Sequence, residues 1–201
     1  MFKTVIGVWL VALAAMVGTS THMGAQTSGA DGPQLSADGT AAFPENYREW
    51  TFLSAGLGMN YGPNAPPPGA PQSFTNVYVN PSAYRAFMKS GAWPDRTMFV
   101  LEIRGSATEG SINKAGHFQT GIRAVEANVK DARLKGGWGF YNFGNKQAAV
   151  APLPESAACY TCHAENTAVE HTFVQFYPSL MEVARQKGTV KATWKEGAPI
   201  K

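Results

Sequence analysis

The chain has 201 residues, enough for one domain of ordinary size with a real core. Its 44% hydrophobic and 11% aromatic content exclude a disordered chain. A formal net charge of +3, with the 17 Lys and Arg scattered along the chain, gives neither a nucleic-acid stripe nor a polybasic membrane patch.

The chain opens on "MFKTVIGVWLVALAAMVGTSTHMGAQ", with a positive charge at Lys3, an apolar run from Val5 to Val17, then small and polar residues. That run of 13 is short of the roughly 20 residues a membrane span needs. The order of charge, apolar core and small residues is that of a secretory signal, so residues 1–25 are expected to be cleaved, between Gly18 and Gln26. An uncleaved N-terminal anchor is the alternative. Either way the rest of the chain works outside the cytoplasm, in the periplasm, with no membrane span in the mature chain and no nucleic-acid partner. Residues 26–42, small and polar without apolar periodicity, read as a flexible linker. The folded unit is expected over 43–190, with 191–201 a polar tail.

"FPENYREWTFLSAGLGM" carries a helix-start signal, with Pro44, Glu45 and a Tyr47–Trp50 pair facing one side. "YGPNAPPPGAPQS" is a surface loop and "FTNVYV" a strand. "NPSAYRAFMKSG" predicts a short amphipathic helix with Asn80 as cap, Pro81 first, Tyr84, Phe87 and Met88 on one face and Gly91 at the end. In "RTMFVLEIRG" a strand puts Phe99, Leu101 and Ile103 on one face and Met98, Val100 and Glu102 on the other. "HFQTGIRAVEANVKD" and "GGWGFYNFG" are further strands, and "PSLMEVARQKG" is a closing helix. Strands in the middle and helices at the ends predict an α+β fold, a mainly antiparallel β-sheet with flanking helices.

The only two cysteines stand in "AACYTCHAEN", as Cys159-x-x-Cys162-His163. A redox dithiol normally opens a helix in a βαβ unit, which this context does not offer. A structural zinc site needs four ligands, and Cys159, Cys162 and His171 with the adjacent His163 make an awkward set. The third chemistry uses every residue of the motif. Two thiols add across the two vinyl groups of haem, and the next residue, His163, is carried under the porphyrin as proximal iron ligand. Extracytoplasmic targeting and the absence of a competing third cysteine agree with one covalent haem c, bound near the C-terminal helix.

Only 38 residues follow His163, and Met181 is the sole methionine among them, on a stretch where packing with Leu180 and Val183 explains it. His171 lies too close along the chain to cross easily to the other face of the iron, and His117 is a weak alternative. An iron with an open distal position follows, suited to a small ligand or to chemistry on one.

"FPENYREW", "VYVNPSAY", "VEANVKD", "GWGFYNF" and "CYTCHAENTAVEHTFVQFYPSL" together resemble, in order, the blocks of the cytochrome P-460 family, to which the cytochromes c′-beta belong. The late haem motif followed by Phe173 to Pro178 is the most specific part. The resemblance implies a mainly antiparallel β fold, often a homodimer, with a five-coordinate c-type haem. One branch oxidises hydroxylamine and reacts with nitric oxide through a haem cross-linked to a lysine. The other binds nitric oxide in an apolar pocket.

The resemblance puts the cross-linking lysine in "VLE", where this chain has Leu101, and Lys89, Lys114 and Lys130 lie elsewhere. An ordinary c-type spectrum is therefore expected. An arginine that the family tends to carry before "VYV" is replaced here by Phe74, Thr75 and Asn76. Glu126 matches a carboxylate that the enzymes use for proton transfer. Turned inward it would be a distal acid or base, and turned outward it would meet solvent or Arg123. Phe74, Phe99 and Phe140, with Leu101, are the candidate distal pocket, or else core. The functions implied are binding of nitric oxide or a related small nitrogen ligand, oxidation of hydroxylamine or nitric oxide, or electron transfer with a redox partner cytochrome.

Overall fold

The computed structural model describes residue 1, residues 31–61 and residues 67–197. The expected signal segment beyond Met1 and the first part of the expected linker lie outside them. Among the described residues no helix is long and apolar enough to cross a membrane.

In chain order the strands are β1 (Ala41–Ala42), β2 (Thr51–Leu57), β3 (Ser73–Val79), β4 (Thr97–Ala107), β5 (Phe118–Lys130), β6 (Trp138–Asn142) and β7 (Ala149–Val150). Helix α1 (Pro81–Ser90) follows β3, and α2 (Ala158–Asn166) and α3 (Pro178–Lys187) close the chain. Strands β2 to β6 form one sheet in sequence order, every pair antiparallel, and β1 pairs with β7 in a small second sheet. The α+β expectation holds.

Alternation along β4 divides the core in two. Met98 and Val100 join Val125, Ala127, Val129 and Tyr141 under the N-terminal residues Phe43, Tyr47 and Trp50. Phe99, on the other face, packs with Phe87, Trp93, Leu180 and Met181 beneath α1 and α3. Phe87 stacks on Trp93 at 4.0 Å, and Trp93 meets Phe99 edge-on at 4.7 Å. Each such ring, withdrawn from water, contributes about 2–3 kcal/mol.

The structure departs from several local expectations. The helix-start signal at Pro44 yields only a single 3-10 turn, Tyr47–Glu49, which buries Tyr47 before the chain enters β2. Thr51 and Phe52 favour a strand, and Gly56 and Gly58 are poor helix formers, so pairing with β3 wins. A bulge at Leu53 resets the alternation there, so Leu53 joins the helix-side core and Ser54 pairs with Val77.

The later half of the expected linker is folded. Asp31 accepts hydrogen bonds from the Ser82 amide at 2.7 Å and the Ser82 hydroxyl at 2.6 Å, so the N-terminus of α1 is capped from far upstream. Asn80, expected as the cap, instead accepts from the Met98 amide at 2.8 Å. Gly91 ends α1 in a left-handed conformation (φ 73°), as expected, and Met88 is exposed rather than on the buried face.

The expected polar tail is also packed in its first part. The Lys191 amide donates to the Ala168 carbonyl at 2.8 Å, and Trp194 rests on the helix-side core.

One charged group lies deep in the sheet. Glu102 is 1% exposed and accepts hydrogen bonds from Tyr47, Arg48, Asn76 and Arg104. Those donors hold its carboxyl at about 2 even though burial pushes it the other way.

Candidate functional site

The loop before α2 is tied to β6, because the Leu153 amide donates to the Phe140 carbonyl at 2.7 Å and the Tyr160 hydroxyl to the Leu153 carbonyl at 3.1 Å. Helical spacing then sets Cys159, Cys162 and His163 at i, i+3 and i+4, on one face. At the C-terminal end Thr167 donates to the His163 carbonyl at 2.6 Å and Asn166 to the Cys162 carbonyl at 3.2 Å, so helix carbonyls with no partner in the next turn are satisfied.

Both thiols are free, and both face a cavity of about 340 Å³ that His163 also lines. The His163 Nδ1 lies 2.7 Å from the main-chain oxygen of His171. A carbonyl can only accept, so Nδ1 carries the proton and Nε2 keeps its lone pair. Burial lowers the imidazole to about 4, against a smaller opposing effect of the His171 carbonyl, and the ring is neutral at neutral pH. Phe140 and Phe173 hold it edge-on, each at 4.6 Å between ring centres.

The sheet forms the cavity floor in three rows. Phe99 and Asn128 stand opposite each other in the first, with Phe140 next to Asn128. Leu101 faces Glu126 in the second row, which continues through Val77 to Ser54. Thr75 and Gly56 make the third. Met59, Tyr61, Phe176 and Tyr177 complete the walls. Among the described lining residues there is no Lys or Arg, and Glu126 is the only carboxylate.

Glu126 therefore points inward rather than to solvent. It makes no hydrogen bond or ion pair among the described residues, and burial raises its carboxyl. Arg123, its possible partner, donates instead to the Ser73 hydroxyl at 3.0 Å. The same carboxylate, after burial itself, pushes the Cys159 thiol up.

Of the sequence-derived residues, Cys159, Cys162, His163, Leu101, Phe99 and Glu126 come together. Two do not behave as expected. Phe74 pairs with Leu57 and Arg104 and, one residue from the inward Thr75, lies on the other face of the strand. Phe140 is on the cavity side but packs against the His163 ring instead of lining the distal space. His117 is exposed, Met181 is buried in the helix-side core, and neither lines the cavity. His171 serves through its main-chain oxygen, while its ring lies 5.7 Å from Trp138. Lys130 is engaged with Glu170 at 2.7 Å.

Sequence reasoning missed Ser54, Gly56, Met59, Tyr61 and Thr75. The β-bulge hides the first, and the parity of β3 could have found Thr75 once its partner strand was known.

An antiparallel sheet has no βαβ unit for a redox dithiol. Among the described residues no three His, Cys, Asp or Glu side chains gather as a metal-ion cluster, so a zinc site lacks its ligand set. A neutral imidazole with a free Nε2, beside two thiols at helical spacing and over a largely apolar cavity, has the donor set of a haem pocket.

Comparison with known families agrees. The chain matches the Cytochrome P460 family over residues 44–174, more than half its length, and belongs to that family. The family is one of haem proteins, and haem is the cofactor implied for this cavity. Among curated proteins no match to the chain was found. Cys159 and Cys162 could hold a haem and His163 its iron, and the group would supply a site for binding, or redox chemistry on, a small ligand. The protein's part is to hold the imidazole neutral and oriented, to exclude water with Leu101, Val77 and Phe99, and to keep a carboxyl of raised affinity for protons at Glu126.

Proposed function

We propose that this chain is a periplasmic mono-haem protein, its haem c attached through Cys159 and Cys162, with His163 proximal and five-coordinate iron that binds nitric oxide or a related small nitrogen ligand. The observation that carries the reading is the meeting, in one cavity, of the motif residues with Leu101 at the position the resemblance gives to a cross-linking lysine. Leucine offers no amine, and Val77 and Phe99 beside it keep that region apolar, which suits a neutral diatomic ligand.

A second reading, oxidation of hydroxylamine or nitric oxide, is favoured by Glu126. An inward carboxyl with no partner and raised by burial can take or give a proton near the ligand.

Titration of the ferrous haem-loaded protein with nitric oxide, followed by absorption, tests the first reading. A saturable high-spin to nitrosyl conversion supports it, and a six-coordinate low-spin spectrum that ignores nitric oxide would count against it. Hydroxylamine turnover, with the Glu126→Gln variant beside wild type, tests the second. Turnover lost in the variant favours the enzyme, and no turnover in either leaves the binding protein.

A further inference from the structure

The third row of the cavity floor holds a polar group that the reading above does not use. Thr75 is 8% exposed, lines the cavity, and its hydroxyl makes no hydrogen bond among the described residues. A hydroxyl with no protein partner and open to the cavity is free to donate to what the cavity holds.

Its place in the register says which end of the cavity it serves. His163 packs on Phe140, in the row of Asn128 and Phe99. Leu101 and Glu126 stand one pleat further along, and Thr75 one pleat beyond them. Each pleat is roughly 6.6 Å along a strand, so Thr75 sits about 13 Å from the histidine row, at the opposite end of the cavity.

Gly56 makes room for Met59 at that end. A side-chain carbon at residue 56 would stand 2.8 Å from the Thr75 hydroxyl oxygen and collide with the Met59 sulfur. The absence of a side chain there lets the Met59 thioether pack beside the Thr75 hydroxyl at that end of the cavity. Inside apolar walls a single donor acts more strongly than it would in water.

We propose that Thr75 is a ligand-positioning residue. Its hydroxyl donates a hydrogen bond to the outer atom of a small ligand held at the far end of the cavity, beside Met59. The class of ligand that fits is a nitrogen–oxygen molecule bound through nitrogen, with its oxygen as acceptor. This inference rests on the haem reading above. It adds that the far end of the pocket selects by hydrogen bonding and not by apolar fit alone.

The test uses carbon monoxide as probe on the ferrous haem-loaded protein, comparing wild type with Thr75→Val, which keeps the shape and removes the hydroxyl, and Thr75→Ser, which restores it. The C–O stretch is expected to rise in Thr75→Val and to return toward the wild-type value in Thr75→Ser. Nitric oxide dissociation should quicken roughly fivefold in Thr75→Val, the worth of one hydrogen bond. An adduct with the same stretch in all three proteins would overturn the Thr75 assignment and leave the haem reading standing. No adduct in any of them would overturn both.

Discussion

The His163 imidazole is held by its own chain, with Nδ1 donating 2.7 Å to the main-chain oxygen of His171, eight residues on. The Asn128 side chain also reaches that oxygen, at 3.4 Å. The acceptor is backbone, so the orientation of the His163 ring depends on the turn after α2 and not on the His171 side chain. His171→Ala should therefore leave the absorption spectrum of the haem-loaded protein unchanged. His163→Gly should keep the haem attached and lose the axial imidazole, with added imidazole restoring the spectrum. A His171→Ala spectrum resembling that of His163→Gly would refute the backbone assignment.

Glu102 makes stability fall in acid. Its folded value of about 2 lies below the ordinary 4.5 because four side chains donate to it. A depressed carboxyl contributes stability that is full above the unfolded value and lost as pH falls through the folded one. The window is thus from about 4.5 down to about 2, and the contribution is about 3 kcal/mol. Urea midpoints measured from pH 7 to pH 3 should fall for the native protein. For Glu102→Gln they should start lower and be flatter over that window, because Arg48 and Arg104 lose their counter-charge.

Asp31 should matter to a helix it precedes by 50 residues. Asp31→Ala removes the acceptor for the first-turn amide and hydroxyl of Ser82. The expected loss is about 1 kcal/mol, read as a lower denaturant midpoint with unchanged slope. A midpoint equal to wild type would mean that water or Asn80 caps α1 equally well.

The features legible in the sequence were those decided within a few residues. The cysteine–histidine spacing needs only one helical turn, and the alternation of Met98, Val100 and Glu102 against Phe99 and Leu101 is intrinsic to an extended chain. What stayed hidden depends on partners far along the chain. Asp31 reads as linker until Ser82 is beside it. Phe74 looks like a better pocket residue than Thr75 by composition, yet strand parity turns it away, and only the pairing with β2 and β4 fixes that parity. The bulge at Leu53 resets the faces of β2, which no local pattern announces. The sequence leaves Glu126 free to face in or out, and the register that sets it opposite Leu101 turns it inward.

That same pairing makes Leu101→Lys the most informative single substitution. Leu101 lines the cavity and stands directly across from Glu126, so a lysine there would carry its amine beside the only carboxylate in the described lining. An amine among apolar walls is costly, about 1–3 kcal/mol, unless a partner is at hand, and Glu126 supplies one. The ion pair would favour the charged carboxylate and draw Glu126 back down from its raised state. The family resemblance adds a second expectation for the haem-loaded variant, a covalent link from the new lysine to the haem with a red-shifted Soret band. Mass spectrometry of the haem peptide reads that link directly. The double variant Leu101→Lys with Glu126→Gln separates the two effects: it should be less stable than Leu101→Lys alone, because the amine is left unpaired. An ordinary spectrum and an unlinked haem peptide in Leu101→Lys, with the protein folded, would show that the position does not reach the haem rim. In that case the absence of lysine at residue 101 could not explain an uncross-linked haem.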